Sequence, residues 1–293
     1  MWTYLKFLLI ASNVHSLIQP TRENLNANIV TDFDSYDFPQ STSSELLWYH
    51  ITGNYTSTNR EYSAFVAIFN PSHFAFFPPT TNGCDTLIKP TESSYNTYAC
   101  DYATNGAFFW TDGNHNGALC KGNLISEGKV WQLPTDGTGT GRANIGLAQG
   151  SKLITGFLDA DVISQSNFSN LITGWGWLVR KGESFVAKSA DLSFQPGGFT
   201  YQKAPRTSIG HFKNGTMILL EIDGEEDIEA GPDLFEVAEL LVSLGVESAV
   251  NIDGGGSSVA VYKGEVIDKP TCKDTPVVCE RAVASIACVK ASA

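Results

Sequence analysis

Four stretches of this sequence hold side chains whose types and spacing could do chemistry. "NIDGGGSSVAV", residues 251–261, sets Asp253 before Gly254, Gly255, Gly256 and Ser257. "APRTSIGHFKNG" sets Arg206 and Thr207 at the start of an apolar alternation. "ATNGAFFW" ends an extended run on Asn105 ahead of Gly106 and paired aromatics, and "CKGNLISEGK" places Gly122 and Asn123 before another strand signal. A guanidinium at a strand start can clamp a phosphate bidentately. Three glycines in a row are costly to order, so the bare backbone beside Asp253 has two readings. It either forms a tight turn needing positive φ, or lets a ligand approach the main chain.

The glycines exclude the familiar nucleotide loops. A P-loop needs G-x-x-x-x-G-K-[ST] before a helix, and a dinucleotide site needs G-x-G-x-x-G opening a helix. Here the order is helix, strand, glycine loop, strand. "PDLFEVAELLVSLGV" spaces Leu234, Val237, Ala238 and Leu241 helically, with Asp233 as N-cap, Glu236 completing a capping box and Gly245 as terminator. The spacing predicts a helix over residues 233–244, feeding the strand "SAVNID". Other short runs read as strands, being β-branched and aromatic between turn residues: "LLWYHITG", "SAFVAIF", "HFAFF", "GKVWQL", "KLITGFL", "WGWLVRKG" and "SFVAK". Residues 17–45 read as an irregular, acidic lead-in. Strand-rich sequence with one clear amphipathic helix predicts an α+β fold, a single domain with a mixed, strongly curved β-sheet packed around few helices.

The 293 residues carry a formal charge of −12, which argues against nucleic acid or an anionic membrane as the main partner. An anionic substrate needs a local basic group, and Arg206 supplies one. Lys6 precedes an apolar run at residues 7–11, with Val14 and Ser16 at the −3 and −1 positions of a cleavage site, so residues 1–16 read as a signal peptide and 17–293 as the mature domain, with its core at about 46–290. No later run is long enough to span a bilayer, so no transmembrane anchor is expected. Six cysteines without a C-x-x-C pair favour disulfides over a zinc site. Sequons at Asn54, Asn167 and Asn214 agree with a secretory route.

"NGAFF", "CKGNLISEGK", "ITGFL", "RTSIG", "LFEVAELL" and "VNIDGGGSS", in this order from about Cys84 onward and followed by "RAVASIACV", together resemble the phosphodiester glycosidase family. The resemblance implies hydrolysis of the bond between the anomeric carbon of N-acetylglucosamine and a phosphodiester phosphate. A phosphomonoester such as mannose 6-phosphate would remain. The substrate would be an N-acetylglucosamine-phosphate-linked glycan or glycoprotein, met in the secretory lumen (Golgi or lysosome-like) or outside the cell, with no cofactor and no metal. Membrane-bound members continue into an EGF-like region and a transmembrane helix; this sequence ends before both.

On that template Asp253 is the first choice of catalytic carboxylate and Glu236 the second, and Arg206 is the phosphate clamp. Thr207, Ser257 and the amides of Gly254, Gly255 and Gly256 are further donors to substrate, and Asn105 binds sugar hydroxyls or the acetamido group. The expected disulfides are Cys272–Cys279 around Pro276, Cys84–Cys120 around "NGAFF", and Cys100–Cys288, which the resemblance also suggests; six cysteines allow 15 connectivities. Two rival readings use the same residues: a carbohydrate-binding protein without turnover, and a metal-dependent phosphodiesterase cutting the P–O bond. The second lacks a His/Asp cluster at ligand spacing, and His115 in "DGNHNG" reads as an exposed turn.

Overall fold

A computed structural model describes residues 31–38, 45–110, 119–133, 142–193, 197–273 and 279–291. The signal-peptide reading, His115 and Pro276 lie outside these residues. Three antiparallel sheets account for the strands described. The seven-stranded sheet runs Glu183–Ser184, Trp177–Arg180, Val246–Asn251, Arg206–Phe212, Met217–Ile222, Glu61–Phe69, Leu46–Asn54. The five-stranded sheet runs Glu265–Val266, Ala260–Tyr262, Tyr102–Asn105, Ile286–Val289, Phe74–Phe77. The six-stranded sheet runs Asp32–Asp37, Lys152–Phe157, Ala143–Ala148, Phe168–Thr173, Leu124–Ser126, Lys129–Gln132.

The α+β class stands as the sequence suggests, but the single mixed sheet is divided, and every ladder among the described residues is antiparallel. Short connections dictate this, because hairpins join antiparallel neighbours while parallel neighbours need a long crossover. A helical connection also occurs here, between strands that run parallel but are not neighbours. Strands Met217–Ile222 and Val246–Asn251 flank Arg206–Phe212 on opposite sides, both antiparallel to it, and the helix Leu234–Ser243 carries the chain between them.

That helix has the predicted capping box, and Gly245 follows it at φ +82°. Leu234, Val237, Ala238, Leu240 and Leu241 bury its apolar face against Val66, Ile218, Leu220, Leu178 and Ala249 of the seven-stranded sheet. Each such side chain stabilises the packing by roughly 1.5–3 kcal/mol relative to exposure. The sheet's other face joins the main core, where Phe65, Phe69, Ile209, Leu219 and Val250 meet Phe74, Phe76, Ile145, Leu153 and Phe157 from the other two sheets. The helix thus covers one face of a sheet, rather than being wrapped by it.

Two sequence expectations fail here. "SFVAK" is not a strand: pairing stops at Ser184, and Val186–Leu192 forms a helix. Ser189 on that helix accepts the Trp177 N–H at 2.8 Å, so a tertiary contact outweighs the β-branched and aromatic composition. Residues 17–45 also hold a strand, Asp32–Asp37, paired with Lys152–Phe157. Its inward side chains are Asp32, Asp34 and Tyr36, an inversion of the usual pattern that hid it. Their partner is Arg180, which bonds Asp32 through Nη1 and Nη2 at 2.8 Å each and Asp34 through Nε at 2.7 Å. Burial raises the Asp34 pKa, but the hydrogen bonds and charge of Arg180 more than offset this and hold it below the ordinary carboxylate value.

Arg180→Ala is expected to strip Asp32 of its guanidinium partner, leave Asp34 with Lys181 alone at 3.7 Å, and destabilise the fold by about 3 kcal/mol, a Tm drop of roughly 6–12 °C. Calorimetry checks this, and protease cleavage on the N-terminal side of Asp32 and Asp34 should accelerate. An unchanged Tm and digestion pattern would refute the clamp.

The cysteines pair as Cys84–Cys120, Cys100–Cys288 and Cys272–Cys279, the predicted set. Asn54, Asn167 and Asn214 are all exposed. Among the described residues no helix is long and apolar enough to cross a membrane.

Candidate active site

The glycine loop lies where the seven- and five-stranded sheets meet. Strand Val246–Asn251 leads into it, one 3-10 turn spans Gly255–Ser257, and strand Ala260–Tyr262 leaves it. Gly255 sits at φ +59°, where a side chain is disfavoured, while Gly254 is extended. The tight-turn reading of the glycines holds at Gly255. A Cβ on Gly256 would fall 2.6 Å from Nη2 of Arg281, and one on Gly254 would fall 2.9 Å from the Pro205 carbonyl oxygen. Arg281 rests on the loop because Gly256 has no side chain, and Arg206 packs beside Gly254.

Hydrogen bonds fasten the loop from below. Asn105 Nδ2 donates to the Asp253 carbonyl at 2.7 Å, and Asn105 Oδ1 accepts from Thr207 Oγ1 at 2.8 Å and from Val259 N–H at 3.3 Å. Ile252 N–H donates to Thr207 O at 3.0 Å, and Gly255 N–H to Pro205 O at 2.8 Å. Asp253 is 9% exposed, and its Oδ1 accepts the Gly254 N–H at 3.0 Å, which sets the carboxylate's orientation.

The structure brings together Asn105, Arg206, Thr207 and the segment from Asp253 to Ser257, but their surroundings revise several expectations. Asn105 and Thr207 have no exposed surface, so they position the loop instead of meeting a sugar. The amides of Gly254 and Gly255 are used inside the loop, leaving them unsuited to hold substrate. Ser257 is buried and accepts from Arg281 Nη1 at 3.3 Å. Arg206 is 2% exposed, with Nη2 donating to Gln202 O at 2.6 Å and Phe199 O at 3.3 Å, so it places a buried positive charge behind the loop rather than a fork open to solvent.

Glu236 is 1% exposed with both oxygens engaged. Oε2 accepts from Arg60 Nη1 at 2.6 Å, Lys203 Nζ at 2.8 Å and Asp233 N–H at 3.1 Å, and Oε1 accepts from Thr58 Oγ1 at 2.6 Å. Burial raises its pKa, but the bonds from Lys203, Thr58 and Asp233 N–H outweigh this and lower it. Oε2 is fully engaged and Oε1 is held by Thr58, so the buried carboxylate is committed to these partners. The geometry assigns Glu236 to the helix cap.

Residues absent from the sequence expectation complete the surface. Trp175 N–H donates to the Asn251 carbonyl at 2.8 Å, and the Asn251 side-chain Nδ2 donates to the Trp175 carbonyl at 3.1 Å. Its ring stacks on Phe199 at 4.8 Å, meets Phe108 edge-on at 5.9 Å and carries the Arg142 guanidinium at 4.2 Å. Arg206 lies 4.8 Å over Phe199, so the aromatic cluster touches the glycine loop's own arginine. Trp175 was hidden in a strand-like run, yet "GWGW" brackets it with glycines. Arg281 lies at the head of "RAVASIACV", where a cation before an apolar run was the available signal. A cavity of about 430 Å³ lined by Ile125, Val130, Leu158 and Phe168 includes no residue of the glycine loop. Its apolar lining suits packing rather than an anionic substrate, so the loop remains the candidate.

Residues 98–290 match the sequence model of the family described as "Phosphodiester glycosidase". The chain belongs to the phosphodiester glycosidase family. It is 30% identical over 224 residues to the N-acetylglucosamine-1-phosphodiester alpha-N-acetylglucosaminidases of Bos taurus and Homo sapiens, covering 72% of this chain and 41% and 42% of theirs. The chain thus spans about two fifths of the length of these relatives. Its structure is similar to the zebrafish N-acetylglucosamine-1-phosphodiester alpha-N-acetylglucosaminidase catalytic domain auto-inhibited by pro-peptide, with a TM-score of 0.74 and 28% identity, covering 88% of this chain and 87% of that one. A hypothetical protein from Synechocystis shares the fold at a TM-score of 0.60 and 16% identity, covering 83% of this chain and 62% of that one.

Proposed function

We propose that this chain is a hydrolase that cleaves N-acetylglucosamine-1-phosphodiesters between the anomeric carbon and the phosphate oxygen. Water's oxygen ends on the anomeric carbon, the C–O bond breaks toward phosphate, and a phosphomonoester leaves. Where the partner alcohol is mannose, the product is mannose 6-phosphate. One observation carries the reading: Asp253 opens the loop fixed by Asn105, and that loop packs against Arg206 and Arg281, with Arg206 lying over Phe199 of the aromatic cluster.

The chemistry suits those parts. A phosphate leaving group, with a second pKa near ~6, departs as an anion without a strong general acid. Asp253 faces the positive charge that grows at the oxocarbenium-like carbon. Arg206 supplies a buried field that favours the departing dianion, and the half-exposed Arg281 contacts it. The apolar faces of Trp175 and Phe199 offer a surface for the sugar ring. Three disulfides and three exposed sequons support a luminal or secreted enzyme acting on glycan or glycoprotein substrates.

The direct test is release of N-acetylglucosamine from its methyl phosphodiester. Saturable binding without release would favour the carbohydrate-binding reading instead. Arg281→Ala is expected to lower kcat/KM about 10²-fold, as loss of one charged contact to the phosphate does, with Tm almost unchanged. Wild-type kcat/KM in this variant would remove Arg281 from the site.

A further inference from the structure

Behind the glycine loop, three carboxylates meet without a cation. Glu221 lies on strand Met217–Ile222 as the ladder partner of Thr207, Asp223 follows that strand, and Asp268 follows Glu265–Val266. One oxygen from each lies within 4.8 Å of the others. Glu221 is 1% exposed, and none of the ion pairs among the described residues involves any of the three. Part of the set is spoken for: Asp223 accepts from Ser63 Oγ at 2.6 Å and Lys269 N–H at 3.1 Å, and Asp268 Oδ1 accepts from Ala260 N–H at 3.0 Å. Glu221 Oε2 and Asp268 Oδ2 are buried and accept no hydrogen bond from any described residue.

Tyr102, on the adjoining five-stranded sheet, is 1% exposed, and its hydroxyl oxygen also has no hydrogen-bond partner among the described residues. Buried polar oxygens are almost always paired, and a buried uncompensated charge is costlier still. Glu221 and Asp268, both in the cluster, each carry such an oxygen, as the ligands of a cation would.

We propose that Glu221, Asp223 and Asp268 bind a calcium ion. Donors that are all oxygen select hard divalent cations over zinc or copper. Magnesium usually keeps several waters and takes only one or two protein carboxylates, whereas calcium accepts several carboxylates in flexible geometry, so three carboxylates favour calcium. Asp223 also lines an open pocket together with Ser63, Lys269 and Thr271, which gives an ion a path in. The ion would not touch substrate. Glu221 pairs across the ladder with Thr207, Thr207 holds Asn105, and Asn105 holds the Asp253 carbonyl. The site is a pin under the catalytic loop.

The test uses the whole protein, stripped with EDTA and dialysed, then titrated calorimetrically with CaCl₂ and, separately, MgCl₂. Thermal unfolding is followed in parallel. One calcium site with Kd near or below about 100 µM should raise Tm by roughly 3–5 °C at 1 mM calcium, with a smaller shift for magnesium. Glu221→Gln and Asp268→Asn keep the side-chain shapes and should lose the calcium shift while still unfolding cooperatively. Should either variant fail to fold, the wild-type stoichiometry still decides. No heat of binding at millimolar calcium with equal Tm in calcium and EDTA would overturn the proposal, as would folded variants that keep the full shift. An equal shift with magnesium would overturn the choice of ion.

Discussion

Asp253→Asn is expected to lower kcat by about 10³-fold or more, equivalent to at least ~4 kcal/mol of transition-state stabilisation, while KM changes by less than about threefold. The reason is differential. Charge develops at the anomeric carbon only as the bond to phosphate breaks, so a carboxylate facing it acts mainly in the transition state. The amide keeps the shape that meets the Gly254 N–H at 3.0 Å, and the backbone bond to Asn105 does not involve the side chain. The loop should therefore hold its place, with Tm within about 2 °C of wild type for a change that keeps the side chain's shape and its bond to Gly254. Steady-state kinetics with a phosphodiester substrate and a thermal melt check both halves. Turnover near the wild-type level would remove Asp253 from the mechanism.

Glu236→Ala should do the reverse. Removing this buried carboxylate strands Arg60 and Lys203, leaves the Thr58 hydroxyl and Asp233 N–H without their acceptor, and opens the capping box. Breaking a buried pair costs about 3–5 kcal/mol. The lower end applies here because the side chains of Arg60 and Lys203 are 36% and 25% exposed and can turn to water. Tm should fall by about 6–12 °C, while kcat of the folded fraction stays within about threefold of wild type. Because the folded pKa of Glu236 lies below its ordinary 4.5, wild type holds this stabilisation above pH 4.5 and loses it as pH falls through the lowered value. The variant's Tm deficit should shrink over that same acid range. A large kcat loss with unchanged Tm would return Glu236 to the reacting carbon.

The contrast between these two acids shows what the sequence could and could not convey. The helix over residues 233–244, its Asp233 cap and Gly245 stop were legible because capping and apolar spacing are local. The disulfides were legible because the cysteine pattern accompanied a family resemblance. Glu236 carried two compatible local readings, cap and catalyst, and only the side chains of Thr58, Arg60 and Lys203 arriving from other elements separated them. Asn105 looked like a sugar ligand because it is polar beside glycine; its burial follows from packing between two sheets. Asp32–Asp37 looked irregular because its inward face answers Arg180 rather than a hydrophobic core. Arg281 and Trp175 escaped notice for a related reason. Each belongs to a run that reads as core, and its place beside Gly256 or Asn251 depends on contacts distant in sequence.

The measurement that tests the central claim most directly is hydrolysis of an N-acetylglucosamine-1-phosphodiester in ¹⁸O-labelled water, with both products weighed by mass spectrometry. Cleavage between the anomeric carbon and oxygen places one ¹⁸O in the released N-acetylglucosamine and none in the phosphomonoester. The label should be read at early times, before the free sugar exchanges its anomeric oxygen with solvent, and an unlabelled-sugar control in the same water corrects for that exchange. Label found in the phosphomonoester would mean that the P–O bond is cut, and would contradict the account.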